Sequence, residues 1–246
     1  KEVASLLKIE HVLNQFPKEL SNGQKQRTSL ARSLISKPSV VLLDDPLRNV
    51  DAKIRFEMRL ELPRVLKEFN TTVIYVTQDF REAMALGDRI AVLYDGKFND
   101  INSPKNIYQN PSSLTTAKLF GDPTINNFDA NIKKQNDFVH VDVKGEQFKL
   151  KRKTNVQDGD CIVGIRPEDI ILSNEPSENS IEVEFRTKTP LNLRIVFLVR
   201  LKNGLEFLCS TTEEKSQLID ENKKMYISFL EEKSHFFDTE TKRNLE

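Results

Sequence analysis

The stretch LSNGQKQRTSLARSLISKPSVVLLDDP, residues 20–46, carries the pattern on which the predicted fold of the first half of the chain depends. Over residues 24–35 the apolar side chains recur at helical intervals, which predicts an amphipathic helix that ends before Pro38. Residues 40–43 are a continuous Val and Leu run that stops at Asp44, which is typical of a strand buried on both faces of a parallel sheet. A helix that leads directly into such a strand favours an α/β fold.

Strand and helix continue to alternate on both sides of this stretch. Upstream, residues 2–16 have apolar positions at helical spacing and predict two short helices. Downstream, the patterns predict a helix over 51–69, a strand over 72–76, a helix over 79–86, and a strand over 89–94 that turns back at Asp95-Gly96. Pro63 predicts a kink or an early end in the first of these helices.

The pattern changes after residues 121–123, Gly-Asp-Pro. Short segments in which apolar and polar residues alternate, such as 138–143, are separated by turn residues and predict an all-β domain, a small barrel. The β-rich blocks over 125–165 and 180–230 could also form two related barrels. The predicted domains are residues 1–121 and 122–246.

Composition limits the class of protein. Of the 246 residues, 38% are hydrophobic and 30% charged, which provides for packed cores and excludes a fully disordered or fibrous chain. Residues 1–121 contain 18 basic and 14 acidic side chains and the rest 19 and 23, about +4 and −4, so we expect no nucleic-acid partner. The apolar runs are much shorter than the ~20 residues of a membrane-spanning helix. Cys161 and Cys209 lie in predicted strands and are predicted to be core thiols.

Ser21 and Gln24 have the spacing of a capping box, in which the hydroxyl and the amide satisfy free N–H groups at a helix start. That interpretation requires no function. In a second interpretation, Asn22 and Gly23 let the backbone turn tightly and expose N–H groups at the positive end of the helix dipole, as an anion or phosphate site. The residues alone leave both interpretations open.

Asp44 and Asp45 are adjacent carboxylates at the carboxyl end of a predicted strand, where open parallel sheets bind ligands. One carboxylate completed by water and phosphate oxygens suits a hard cation such as Mg²⁺, and Asp44 is the candidate ligand. Asp45 would then face the reacting water as a general base. Alternatively, the pair only caps a turn before Pro46.

Three stretches resemble one protein family. LSNGQKQRTSLARSLISKPSVVLLDDPLRNVDAKIRFEMRLEL (20–62) and TTVIYVTQDFREAMALGDRIAVLYDGK (71–97) resemble the ATP-binding subunits of ABC transporters. VGIRPEDIIL (163–172) resembles the C-terminal domain of the maltose-type sugar importer ATPases, and the resemblance covers nearly all of residues 1–175. It implies the later half of an ABC-type P-loop nucleotide-binding domain, of α/β fold, followed by an all-β, OB-like barrel of the TOBE type. The implied ligands are ATP and Mg²⁺.

The resemblance also implies a dimer interface. Residues 20–24 look like the signature motif, which in the family contacts the γ-phosphate of ATP bound to the opposite subunit of a dimer. The implied nucleotide-binding residues in this motif are Ser21, Asn22, Gly23 and Gln24. Asp51, with Asn49 and Val50, resembles the loop that crosses the dimer interface.

Two catalytic positions depart from the family pattern. Asp44 matches the metal-side carboxylate, but Asp45 stands in the place of the catalytic glutamate and Gln78 in the place of the switch histidine. The shorter Asp45 side chain pulls the base back from the water, and Gln78 can bond a phosphate but cannot carry the same proton. Asn22 replaces the first glycine of the signature pair, a milder change because Asn tolerates left-handed backbone.

The phosphate-binding loop pattern G-x4-G-K-[ST] does not occur in the chain, because its one Gly-Lys pair, Gly96-Lys97, has Ala91 at the required upstream position. In the family this loop lies before the signature motif. Because the first residue is Lys1, we expect the natural start upstream.

Several functions follow from the resemblance. The first is an energy-coupling importer subunit for a sugar or related solute, peripheral on the cytoplasmic face of the membrane, with ATP held between two subunits and a permease docked around residues 1–36. The second is a catalytically degenerate subunit with a regulatory or assembly role, which Asp45 and Gln78 favour. The dimer could be formed by two copies of this chain or by this chain and a different ATP-binding subunit. In the second case the partner would carry the site that hydrolyses ATP. A further alternative gives the β domain the main role, as a sensor.

Overall fold

The computed structural model of the chain describes residues 2–36, 38–48, 52–68, 71–152, 154–191 and 193–246. The chain divides into two compact units, Lys1–Ile90 and Ala91–Glu246. The boundary between these compact units differs from the predicted domain boundary at residue 121. The assignment of residues 1–121 and 122–246 to two domains stays a prediction. Within the described ranges, no helix is both long enough and apolar enough to span a membrane.

The first unit consists of helices packed on a pair of parallel strands. Its helices are α1 (Glu2–Leu6), α2 (Asn22–Leu34), α3 (Ala52–Glu68) and α4 (Phe80–Leu86), and its strands are β1 (Val40–Asp44) and β2 (Thr72–Val76). Short 3-10 turns cover Glu10–Val12 and Pro17–Glu19. The parallel register joins Val40 to Thr72 and Asp44 to Val76, so both strands end at the same edge.

The prediction that both faces of these strands are buried is wrong. Val41 faces a core formed with α2 and α3, where Leu34, Met58 and Leu62 are buried. The alternate residues face solvent, and Leu42 is 72% exposed and Ile74 54% exposed. An uninterrupted apolar run therefore did not distinguish a strand covered on two faces from one covered on a single face.

Two predicted helix boundaries also change. Helix α3 continues through Pro63 to Glu68, because Leu62 and Val65 are buried on either side of the proline and hold the helix against the core. A proline removes a single helical hydrogen bond, and packing can compensate for that loss. Helix α2 begins at Asn22, so Asn22 and Gly23 belong to its first turn.

The second unit is mainly antiparallel sheet, as predicted. Strands β3 (Ile90–Tyr94), whose first residue belongs to the first unit, and β4 (Lys97–Asn102) are joined by Asp95 and Gly96, both with positive φ. Helices α5 (Pro104–Gln109) and α6 (Leu114–Leu119) follow. The remaining elements are β5 (Asn126–Gln135), β6 (Phe138–Val143), β7 (Glu146–Lys151), β8 (Gly159–Ile165), β9 (Ile170–Ser173), β10 (Ile181–Leu191), β11 (Arg194–Arg200), β12 (Glu206–Thr212), α7 (Glu213–Ser216), β13 (Met225–Phe229) and β14 (Ser234–Phe237).

Two five-stranded sheets of this unit share one hydrophobic core. Their strand orders are β14-β8-β5-β6-β7 and β12-β11-β10-β13-β9. Phe128 and Phe148 from the first sheet pack in the same core as Phe197 and Phe207 from the second. The two β-rich blocks of the sequence therefore do not form separate cores, and the OB-like barrel itself stays a prediction.

The prediction that the two cysteines are core thiols is confirmed. Cys161 and Cys209 are free and buried. Burial raises the pKa of Cys161 to about 12, helped by the charge of Asp160, and burial alone raises that of Cys209 further. Neither thiol has the lowered pKa of a reactive cysteine.

His235 and Asp169 in the second unit make opposite contributions to the pH dependence of stability. Burial, reinforced by nearby cationic side chains, lowers the pKa of His235 to about 4. The contribution of His235 to the free energy of unfolding is complete above the pKa of the unfolded state, ~6.5, and is lost as the pH falls toward 4. Burial and the charge of Glu168 raise the pKa of Asp169 to about 6. The contribution of Asp169 to the free energy of unfolding is present below pH ~4 and is lost as the pH rises through 6.

We expect these contributions to oppose each other between pH 4 and 6, with His235 the larger at about 3 kcal/mol. Asp169 is only partly buried, so solvent screening reduces its share to about 1 kcal/mol. His235→Gln should therefore remove most of the acid-side loss of stability, and Asp169→Asn should steepen it. Urea unfolding of each variant at several pH values measures the slopes, and parallel slopes for His235→Gln and the parent chain would contradict the assignment.

Candidate functional site

The start of helix α2 has the predicted capping box. The Ser21 N–H donates to Gln24 Oε1 at 2.9 Å, and the Gln24 N–H donates to Ser21 Oγ at 3.3 Å. Asn22 and Gly23 have helical backbone, so the tolerance of Asn for left-handed geometry is not used here, contrary to the sequence-based reasoning. Gly23 is buried, whereas Ser21 and Asn22 are exposed. The contacts account for Ser21 and Gln24 as a cap, and their role toward a phosphate stays a prediction.

Asp45 combines a turn conformation with an ionic contact. Its φ is 42°, a left-handed value that Asp tolerates better than most residues. Its N–H donates to the Val76 carbonyl at 2.8 Å, and its carbonyl accepts from the Arg48 N–H at 3.2 Å. Asp45 Oδ2 lies 3.9 Å from Arg48 Nε. The backbone of Asp45 therefore forms the turn, and its carboxylate remains at the edge of the sheet.

The structure brings the two predicted catalytic residues to the same depression. Asp45 and Gln78 line one open depression of about 360 Å³ at the edge where β1 and β2 end. The remaining lining residues are Arg48, Arg55, Asp79, Phe80, Arg81 and Glu82. Because Gln78 is exposed, its amide is free to contact a ligand that enters this depression.

Asp44 lies on a different depression. That one, of about 280 Å³, is lined from α2, β1 and α3, and the residues of the predicted signature motif line neither depression. Asp51, with Asn49 and Val50, lies outside the described residues. The structure therefore brings Asp45 and Gln78 to one depression, whereas Asp44 and the residues of the predicted signature motif do not line it.

The donor set at Asp44 fits a magnesium ion. The side chain is exposed at the end of β1, and it makes no hydrogen bond or ion pair with any residue that the structure describes. A single free carboxylate, with water and phosphate oxygens as the other ligands, is a common way to hold Mg²⁺. No cluster of three or more His, Cys, Asp or Glu that could form an all-protein metal cage occurs among the described residues. Asp44 is thus the candidate ligand for Mg²⁺, and its role toward the ion stays a prediction.

The sequence-based reasoning missed an ionic cluster next to Gln78, in which Glu82 is buried and Arg59 and Asp79 are half-buried. Glu82 is 2% exposed and accepts hydrogen bonds at Oε2 from Tyr75 OH and Thr77 Oγ1, each at 2.9 Å. Arg59 Nη2 contacts Asp79 Oδ2 at 2.5 Å and Glu82 Oε1 at 3.7 Å. Burial and the Glu82 hydrogen bond raise the pKa of Tyr75. Asp79 and Glu82 have capping-box spacing, but that signal does not identify Arg59 or Tyr75 as partners.

Comparisons with known proteins agree with the resemblance seen in the sequence. The family model described as ABC transporter matches residues 1–48. The xylose/arabinose import ATP-binding protein XacK of Haloferax volcanii is 35% identical over 98% of this chain and 63% of its own length. The trehalose/maltose import ATP-binding protein MalK of Thermococcus litoralis is 35% identical over 98% of this chain and 66% of its own.

A relative with a different named solute shows similar coverage. The Fe(3+) ions import ATP-binding protein FbpC of Fusobacterium nucleatum is 31% identical over 98% of this chain and 64% of its own length. The chain thus spans slightly less than two thirds of each of these relatives. Similarity along nearly the whole chain to several import ATP-binding proteins identifies it as a member of the ABC transporter ATP-binding protein family.

Proposed function

We propose that the chain is part of an energy-coupling subunit of an ABC importer, in which ATP and Mg²⁺ are held between two ATP-binding subunits. The observation that carries the proposal is the depression shared by Asp45 and Gln78 at the common edge of the parallel strands. This is where an open α/β sheet binds its ligand. Family membership supplies the nucleotide chemistry. A sugar is the proposed solute, since XacK and MalK are named for sugars, although FbpC is named for iron.

In this proposal the first part of the chain is the later half of a nucleotide-binding domain. Asp44 holds Mg²⁺, Asp45 acts as general base on water, and Gln78 hydrogen-bonds a phosphate. Ser21, Asn22, Gly23 and Gln24 face the ATP of the opposite subunit, and Asp51 lies at the dimer interface. The β-rich part is a TOBE-type regulatory domain.

The proposed permease contact is the helical region around residues 1–36. Leu13 is 53% exposed and Phe16 is 68% exposed in this region. Burial of such side chains in a complex would stabilise it, so both are available for a protein contact. The subunit would then work at the cytoplasmic face of the membrane, bound to its permease.

Replacing Asp44 by asparagine tests the proposed function. We expect the natural full-length polypeptide to release phosphate from Mg-ATP, and Asp44→Asn to slow that release by about 100-fold because the metal loses its charged ligand. Release is measured with and without Mg²⁺. Glu68→Gln, at the end of α3 and paired with Arg64, is the matched control and should keep the parent rate. Equal rates for Asp44→Asn and the parent would refute the metal role. If neither the parent nor a variant with Asp45→Glu and Gln78→His releases phosphate, the proposed function is refuted.

A further inference from the structure

The two residues that flank Gln78 are both fixed by side-chain contacts. Thr77 Oγ1 donates to Glu82 Oε2 at 2.9 Å and accepts from the Asp79 N–H at 3.0 Å. Asp79 Oδ1 accepts from the Arg81 N–H at 2.8 Å at the start of α4. Asp79 Oδ2 contacts Arg59 Nη2 at 2.5 Å. The backbone that carries Gln78 is therefore held on both sides, while its side chain remains exposed.

Glu82 and Arg59 contact the residues on either side of Gln78 and each other. Glu82 is 2% exposed, accepts hydrogen bonds from Tyr75 and Thr77, and makes an ionic contact with Arg59. Among the described residues, Arg59 Nε is buried without a hydrogen-bond partner, so the guanidinium reaches both carboxylates through Nη2. Burying such charges costs desolvation energy, and apolar residues of the same size are often as stable. Stability alone is thus a weak explanation for the cluster.

The same strand end also fixes Asp45. Its N–H donates to the carbonyl of Val76, two residues before Gln78, at 2.8 Å. Any shift of the segment between Val76 and Asp79 would therefore change the position of Gln78 relative to Asp45. The cluster contacts the backbone and side chains on both sides of Gln78, so it bears on that relative position.

We propose that Glu82 and Arg59 are positioning residues that hold Gln78 in place across the depression from Asp45. This inference rests on the proposed function, since Gln78 has a task only if the depression binds nucleotide. A catalytic group displaced by about 1 Å can lose on the order of 100-fold in rate, so a fixed backbone on both sides of Gln78 has a direct kinetic consequence.

Hydrogen exchange in the 246-residue chain without nucleotide tests the positioning by itself. In Glu82→Ala, we expect the amides of Asp79 and Arg81 to exchange at least about 10-fold faster, because the hydroxyl and carboxylate that accept from them lose their supports. The amides of β1 should be unchanged. Arg64→Ala is the matched control for the same measurement on Arg59→Ala, because Arg64 is an exposed arginine of the same helix. If Glu82→Ala does not fold, Glu82→Gln keeps the shape of the side chain and one acceptor oxygen but removes the charge facing Arg59, so the faster exchange is then expected at Arg81.

Phosphate release by the natural full-length polypeptide tests the consequence. We expect kcat per folded molecule to fall about 100-fold in Glu82→Ala and in Arg59→Ala, with KM for ATP within about twofold of the parent. Arg59→Lys should recover part of the loss. A purely structural role would lower the folded fraction and leave kcat per folded molecule unchanged.

The outcomes separate this proposal from the proposed function. Faster exchange at Asp79 and Arg81 in Glu82→Ala, together with no phosphate release by the parent or by its Asp45→Glu, Gln78→His variant, would support the positioning of Gln78 and refute the proposed function. An active parent whose Glu82→Ala variant keeps either the parent exchange rates or the parent kcat would refute the positioning role.

Discussion

Phosphate release by the natural full-length polypeptide is expected to rise about 100-fold when Asp45→Glu and Gln78→His are introduced together. Asp45 has left-handed backbone and a carboxylate 3.9 Å from Arg48, so its short side chain stays near the turn. Glutamate extends the base by one methylene toward the depression that Gln78 shares. Histidine adds a group that can exchange a proton near neutral pH.

Single variants and a melting curve complete this experiment. Asp45→Glu alone should account for most of the gain, because it brings the carboxylate that acts as general base closer to the water. Glutamate is less suited than aspartate to positive φ, so a small loss of stability is expected and is measured by thermal unfolding. If the parent releases phosphate as fast as the double variant, Asp45 and Gln78 support hydrolysis without replacement. A parent activated only by a second subunit carrying Glu and His would indicate a heterodimer.

Replacing Arg166 by alanine is expected to lower the free energy of unfolding of the second unit by about 4 kcal/mol. Arg166 is 3% exposed, and its Nη1 and Nη2 donate to the carbonyls of Phe120 and Tyr108, each at 2.6 Å. Its guanidinium also lies 3.7 Å from the centre of the Tyr108 ring. Alanine leaves two carbonyls without these donors, removes the cation–π contact and opens a cavity.

Urea unfolding of the 246-residue chain measures this loss. Arg166→Lys should recover less than half of it, because an ammonium group cannot reach both carbonyls with the planar geometry of guanidinium. Arg186→Ala is the control, since Arg186 pairs with Glu184 at 3.0 Å on an exposed strand and should change stability by less than about 0.5 kcal/mol. A change below about 1 kcal/mol in Arg166→Ala would contradict the structural interpretation.

Local patterns predicted much of the secondary structure. The β2 prediction matches its bounds, and the Asp95-Gly96 turn and the Ser21–Gln24 capping box are present. These features depend on residues within a few positions of one another, so a short window of sequence contains their cause. Helix α3 passes through Pro63 because buried neighbours outweigh a local signal. The exposed face of β1 escaped prediction because exposure depends on what packs against a strand.

Sequence patterns were enough to predict the family, the order of most strands and helices, and the position of Asp44 and Asp45 at a strand end. That Asp45 shares a depression with Gln78 could be learned only from the folded chain, because it depends on the parallel register of β1 and β2. The same holds for the contact of Glu82 with Arg59, and for the hydrogen bonds of Arg166 to carbonyls 46 and 58 positions away. Periodicity and capping act within one or two turns of the chain, whereas the pairing of buried charges depends on which distant segments fold against each other.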